Sequence, residues 1–252
     1  MQSQRFYRLF CLIAILCTFV FFPIMGYTTG IRDTKHNLSG SNSKWPGQYS
    51  VKAVDEPQIC IFCHTPHNAN PAHPLWNHEV TAVQTYHTYW SNTLQSYSNS
   101  DSQAWPVDGY SKLCLSCHDG TVAVGSVSSR VAEILMVIVP RVIDDPGKLI
   151  GGAGYLGTDL SGGHPISIIF DANLVNKRKN AVPKLSDLNW PIIDPDVKLY
   201  PTKGGQGVQC TSCHDPHTTK GGTDSPPFWR KPTYNDVCTV CHQQIPPGNI
   251  DW

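Results

Sequence analysis

The chain has 252 residues, and its 19 Lys and Arg are balanced by 19 Asp and Glu for a formal net charge of zero. Nothing in this balance suggests nucleic-acid binding, which would want a basic face. Twenty Gly and 20 Pro interrupt the chain often and leave few long amphipathic runs.

At the N-terminus, Arg5 and Arg8 precede an apolar run over residues 9–22, and Pro23-Ile24-Met25-Gly26 follows as the approach to a cleavage site. The run is shorter than the ~20 residues of a transmembrane helix. Residues 1–26 therefore read as a cleaved secretory signal rather than a retained anchor. Cys11 and Cys17 lie in this stretch, and neither follows a small residue as in a lipoprotein signal. Without Arg5 and Arg8, the remaining chain, residues 27–252, carries 17 basic against 19 acidic residues, a net of −2. Its length is that of one domain. His36, in Lys35-His36-Asn37-Leu38-Ser39, falls near the new N-terminus, where a solvated tail is the plain reading.

The next feature is Cys60-Ile61-Phe62-Cys63-His64, and the same frame recurs three times. Cys114 and Cys117 precede His118, Cys210 and Cys213 precede His214, and Cys238 and Cys241 precede His242. All eight cysteines outside the N-terminal apolar stretch belong to these four motifs. C-x-x-C-H is the attachment signature of haem c: each thiol adds across a vinyl group, and the adjacent histidine becomes the proximal iron ligand. A disulfide framework needs only the cysteines. A zinc ribbon needs no histidine behind every second cysteine. With 11 histidines in the chain, four such coincidences arise at roughly a few in a million. The motifs predict four covalent haems, which are attached outside the cytoplasm, in agreement with an export signal.

Motifs one and three continue as Cys-His-Thr-Pro-His and Cys-His-Asp-Pro-His, which adds His67 and His217. Pro66 and Pro216 make continued helix at the preceding residue unfavourable, so the chain should leave in a new direction. Each extra histidine would then miss the far face of its own haem and reach the iron of a neighbour as a distal ligand. Motifs two and four lack this histidine, so the chain reads as two unequal two-haem units, residues 57–125 and 207–245. No linker between them is long enough to argue for two domains.

Between the motifs, His73, His78 and His87 lie in a segment rich in proline and aromatics, where hydrogen bonds to propionates or water are expected. Trp76, Tyr86, Tyr89, Trp90 and Trp105 are expected to pack on porphyrin faces and edges. Residues 131–143 (VAEILMVIVPRVI) form the one strong apolar run; β-branched residues with Pro140 suggest an edge or short strand in an ordinary core. His164, in Gly162-Gly163-His164-Pro165, has flexible backbone before it and a rigid stop after it, which suits a ligand delivered by a loop. Met136, the sole methionine beyond the signal, sits inside the apolar run, so the axial inventory implies bis-histidine haems. The expected fold is mostly irregular coil with short helical turns and few strands, wrapped around four covalently attached c-type haems that supply much of the apolar core.

The set "TKHNLSG", "CIFCHTPHNA…PLWN", "SKLCLSCHDGTVAVGS", "GGHPIS" and "CTSCHDPH" resembles the tetrahaem, OmcE-like extracellular cytochromes that polymerise into electron-conducting filaments. The resemblance spans nearly the whole mature chain, although residues 131–143 have no clear counterpart in it. It implies stacked bis-histidine haems, one haem ligand shared between subunits, and the distal set His36, His67, His164 and His217. For His36 the ligand role comes from the resemblance, not from spacing. It further implies secretion, head-to-tail self-association, periplasmic or outer-membrane cytochromes as electron donors, and an extracellular acceptor such as a metal oxide or another cell. Two other functions share parts of the pattern. A membrane-anchored tetrahaem quinol dehydrogenase would keep its N-terminal helix, against the short run and Pro23 here. A multihaem reductase needs an open iron and usually Lys in place of a proximal His, whereas all four motifs keep His. The expectation is an electron carrier without catalytic residues.

Overall fold

The computed structural model describes residues 30–42, 51–69, 73–91, 94, 104–181, 187–218 and 228–243. The expected signal segment, with Cys11 and Cys17, lies outside them, as does the side chain of Trp105.

Coil dominates, as the density of Gly and Pro requires. Single 3-10 turns occur at Ile31–Asp33 and Cys60–Phe62. The helices are α1 (Gly109–His118), α2 (Ala172–Lys179), α3 (Cys210–Cys213) and α4 (Tyr234–Cys241). The strands are β1 (Tyr86–Thr88), β2 (Ala104–Trp105), β3 (Asp159–Leu160), β4 (Ile168–Ile169), β5 (Tyr200–Thr202) and β6 (Gly205–Val208). They form two small sheets, ordered β2-β1-β3 and β4-β6-β5. In the first, β1 runs antiparallel to β2 and parallel to β3; in the second all pairs are antiparallel. The β5–β6 hairpin turns at Gly204, whose φ of +95° is open to glycine and strained for other residues.

Side chains at the helix starts explain how these short elements hold together. Asp171 caps α2 by accepting from the Leu174 amide at 2.8 Å, and Thr233 caps α4 by accepting from the Asp236 amide at 3.2 Å. Asp108, before α1, is aimed elsewhere. Its carboxylate accepts from Thr202 Oγ1 at 2.7 Å, the Lys203 amide at 2.6 Å and Gln209 Nε2 at 3.0 Å. Gln209 Oε1 in turn accepts from the Ser111 amide at 3.0 Å, and Ser111 Oγ accepts from the Cys210 amide at 2.9 Å. These bonds fasten α1, which carries motif two, to α3, which carries motif three. The two halves read from the sequence are thus joined through their inner motifs.

Among the described residues the core falls into three apolar clusters. The first gathers Ala53, Phe62, Val124, Val127, Ile134, Met136, Val139, Ile143 and Leu149. Residues 131–143 contribute to it as ordinary core, but the expected strand does not form. The segment pairs at isolated positions, Ala53 with Met136 and Val139 with Ile143, because the chain reverses at Pro140-Arg141, where Arg141 has φ +67°. The second cluster comprises Ile168, Phe170, Leu174, Leu188 and Val208. The third holds Tyr86, Val107 and Leu115. Tyr86 is wholly buried there and its hydroxyl donates to Asp119 Oδ2 at 2.7 Å, so it is a core residue rather than the porphyrin-facing ring expected. Among the described residues no helix is long and apolar enough to cross a membrane.

Candidate haem-binding site

The four C-x-x-C-H motifs adopt two backbone forms. In motif two, α1 starts at Gly109, well before Cys114, and therefore continues through His118 before Gly120, at φ +73°, ends it. In the other three, the helical turn stops at or before the second cysteine and the histidine leaves it, with φ −114° at His214 and −107° at His242. Pro66 and Pro216 agree with that stop, yet motif four stops at the same place without a proline.

A shared clamp accounts for it. His64, His214 and His242 each form a one-residue antiparallel bridge, to Trp76, Trp229 and Leu188 respectively. In motif one the Thr65 amide donates to Leu75 O and the Asn77 amide to Cys63 O, at 3.0 and 2.9 Å. Motif three repeats this, Asp215 to Phe228 O and Arg230 to Cys213 O, at 2.8 and 3.0 Å. Motif four does so with Gln243 to Asp187 O and Asn189 to Cys241 O, at 3.2 and 2.8 Å. Each tripeptide holds its histidine against the end of the attachment turn.

The motifs also lie beside one another. The Cys63 thiol feels Cys117, the Cys114 and Cys210 thiols lie close enough to perturb each other, and Cys213 feels Cys241 and Cys238. None of the eight described cysteines is in a disulfide. Burial pushes the Cys63, Cys117 and Cys213 thiols up to about 12, so in the haem-free chain they are neutral groups packed away from water. Among the described residues no set of three or more His, Cys, Asp or Glu side chains converges as a metal cluster.

Histidine pairs converge instead. The ring of His36 is centred 5.9 Å from that of His118, His217 lies 6.1 Å from His64, and His164 lies 6.3 Å from His242. An imidazole nitrogen sits about 2 Å from a bound metal with its ring centre about 1 Å further on, so two imidazoles on opposite sides of one ion have centres about 6 Å apart. All three pairs match that spacing, and each joins a motif histidine to a histidine from elsewhere in the chain. The interplanar angles are 64°, 18° and 81° in the same order.

Protonation agrees with ligation. Nδ1 of His118 donates to Gly154 O, that of His164 to Pro165 O at 2.8 Å, and that of His217 to Asp215 Oδ1 at 3.0 Å. With the proton fixed on Nδ1, Nε2 keeps its lone pair for a metal. Burial, with help from neighbouring His118 and His217, lowers His36 to about 3; burial, then His164 and Arg178, lowers His242 to about 4. Burial also lowers His64, His118 and His164. His36 and His118 are half-buried and His164 is exposed, so none of the three is sealed in the protein core. Trp76 Nε1 is buried without a hydrogen-bond partner and so calls for an acceptor, such as a porphyrin carboxylate. The residues present fit haem.

The remaining histidines divide clearly. His67 is exposed and belongs to none of the three pairs, while His214 stacks on Trp229 at 4.5 Å. His87 faces water and its Nδ1 bonds Asp159 Oδ1 at 3.0 Å. His73 lies 6.3 Å from the ring of Tyr110. His78 departs from expectation: it is 1% exposed, and its ring nitrogens face Glu79 O at 2.7 Å and Ala123 O at 3.1 Å, with Cys117 Sγ 3.2 Å from Nε2. It is a structural core histidine, not one that meets propionate or water. The clamp tripeptides were also missed from the sequence; the tryptophan shared by Leu75-Trp76 and Phe228-Trp229 is the signal that could have revealed two of them.

Comparison with known proteins bears on the C-terminal part of this arrangement. Residues 201–246, which hold motifs three and four, match the doubled CXXCH motif family. The chain thus carries a paired-motif domain like that of multihaem c-type cytochromes. The motifs indicate covalently bound haem c, and the chemistry that goes with it is electron transfer. No curated protein matches the chain.

Proposed function

We propose that the protein is an extracellular electron conduit holding four bis-histidine c-type haems, with no catalytic residues. The observation that carries this reading is the pairing of three motif histidines with three distant ones at the spacing of two imidazoles on one metal. The assignments are His36 to the iron of His118, His217 to that of His64, and His164 to that of His242. Because His217 follows motif three and reaches motif one, the reciprocal exchange takes His67 from motif one to the iron of His214. All four irons are then closed, which leaves no position for a substrate.

Haem supplies one-electron exchange at its iron. The chain would hold three proximal imidazoles in clamps and the fourth at the end of α1, direct the Nδ1–H groups of His118, His164 and His217 at carbonyl or carboxylate oxygens, and set the four attachment points beside one another. Ligation by two imidazoles lacks the thioether that raises potentials in His/Met haems, so the potentials are low and closely spaced.

The secreted chains assemble head to tail into a filament, passing electrons from periplasmic or outer-membrane donor cytochromes to an external acceptor such as a metal oxide. The His36–His118 contact is made within one chain; exchanging it between chains would tie polymerisation to coordination, as in domain swapping. Electron microscopy of the secreted protein tests assembly: filaments are expected, and discrete particles would refute it. Exposing the reduced protein to carbon monoxide tests the closed irons: no binding is expected, and a carbonyl adduct would point to an enzyme.

A further inference from the structure

Two of the three histidine clamps carry the same unusual step. Leu75 and Phe228 both have φ +63°, and each is followed by the tryptophan that bridges the motif histidine. Bulky side chains are strained in this region, and the turn from His73 to Trp76, closed by Trp76 N–H to His73 O at 3.1 Å, would ordinarily place glycine at Leu75. The third clamp, Asp187-Leu188-Asn189, has neither the positive φ nor the tryptophan. Repeated strain at one step of a functional element is an observation that calls for a use.

In the second strained clamp three consecutive residues reach three histidines. Phe228 stacks on His36 with ring centres 4.6 Å apart and planes 10° from parallel. Trp229 stacks on His214 at 4.5 Å and 27°, and its other contact, Tyr234, braces it edge-on at 5.7 Å. Arg230 Nη1 donates to Asp215 Oδ2 at 3.3 Å, while Asp215 Oδ1 accepts from His217 Nδ1 at 3.0 Å. Arg230 is itself fixed by Nε donating to Thr211 O at 2.6 Å. The first clamp is simpler: Trp76 meets His64 edge-on at 6.1 Å and 86°, and Leu75 is 57% exposed.

We infer that Phe228-Trp229-Arg230 is an orienting strap, which fixes the imidazole planes of His36, His214 and His217 and so sets ligand orientation at three neighbouring irons together. The inference rests on the ligand assignments proposed above. An imidazole with an aromatic ring stacked on its face cannot rotate about its iron bond without breaking that contact. Its plane then fixes the orientation of the iron d orbitals, which governs the anisotropy of the low-spin ferric resonance and shifts the reduction potential. These residues act through the ligands and are positioning residues.

Electron paramagnetic resonance of the fully haem-loaded ferric protein tests the strap. Phe228→Leu converts it to the Leu-Trp form that the first clamp already uses, so the backbone has a precedent in the same molecule. This variant is expected to keep all haems low-spin and to shift one strongly anisotropic signal, that of the His36–His118 iron, whereas Phe228→Tyr keeps the wild-type spectrum. Trp229→Leu, which removes the ring stacked on His214 and has a precedent in Leu188 of the third clamp, is expected to move a different low-spin signal and serves if Phe228→Leu does not fold. Wild-type spectra from both fully loaded variants would overturn the strap. His36→Ala separates that failure from failure of the ligand assignment. One high-spin iron in His36→Ala beside an unchanged Phe228→Leu spectrum rejects the strap alone; low-spin irons throughout in His36→Ala reject the assignment and the strap's effect on it.

Discussion

Tyr86→Phe isolates one buried polar contact that supports motif two. Tyr86 is 0% exposed and Asp119, which directly follows His118, is 3% exposed. The Tyr86 hydroxyl donates to Asp119 Oδ2 at 2.7 Å, while Oδ1 is occupied by the Thr121 amide at 2.8 Å and Thr121 Oγ1 at 2.7 Å. Phenylalanine keeps the packing with Val107 and Leu115 and removes only the donor, leaving one buried carboxylate oxygen unpaired. A hydrogen bond to a charged group contributes about 1.5–3 kcal/mol, and losing the donor exposes that cost in full. For a domain of this length each kcal/mol moves the melting temperature by about 2–4 °C, so a fall of about 3–12 °C is expected. Thermal unfolding followed by far-ultraviolet circular dichroism on the haem-loaded protein measures it, and Asp119→Asn closes a double-mutant cycle. A melting temperature unchanged to within about 1 °C, or costs that simply add, would show that the bond does not hold motif two in place.

Further variants probe separate parts of the account. His78→Ala removes a buried ring with two carbonyl contacts and should cost about 2–4 kcal/mol by chemical denaturation, yet leave the visible spectrum low-spin; a high-spin component would make His78 a ligand. Gly125→Ala drives a methyl group into the Ile134 carbonyl and should destabilise by about 1–3 kcal/mol or more, read in the same denaturation assay; a neutral result would contradict the close approach there. At Asp194, partial burial raises the carboxyl pKa, but the Lys231 bond at 2.8 Å and two backbone amides outweigh it, so the folded value lies below the ordinary one. Stability from that depressed value is present above the usual carboxylate range and is lost as pH falls through the folded pKa. Asp194→Asn should therefore melt below wild type at neutral pH and converge with it in acid; an equal deficit at both would refute the ion pair's role.

The attachment sites were legible because their code is local: two thiols and one imidazole within five residues specify a covalent chemistry whatever the surrounding fold. The prevalence of coil was legible from Gly and Pro. Which distal imidazole faces which motif was not, since His36 and His118, or His64 and His217, are joined by contacts far apart in sequence. The strand expected in residues 131–143 fails because the turn at Pro140-Arg141 returns the chain before a ladder can form. His78 was misplaced because its partners, Glu79 and Ala123, offer backbone carbonyls, which carry no side-chain signal. The Phe228-Trp229-Arg230 clamp escaped notice for a related reason: the two bonds that close it, Asp215 N–H to Phe228 O and Arg230 N–H to Cys213 O, are main-chain bonds, and only the tryptophan recurs.

The most direct test of the central claim is near-infrared magnetic circular dichroism of the ferric protein, with haem content per chain measured on the same sample. The account predicts four haems per chain, all low-spin with two nitrogen ligands. A high-spin iron, a methionine–sulfur signature, or fewer than four haems on a fully matured chain would contradict it.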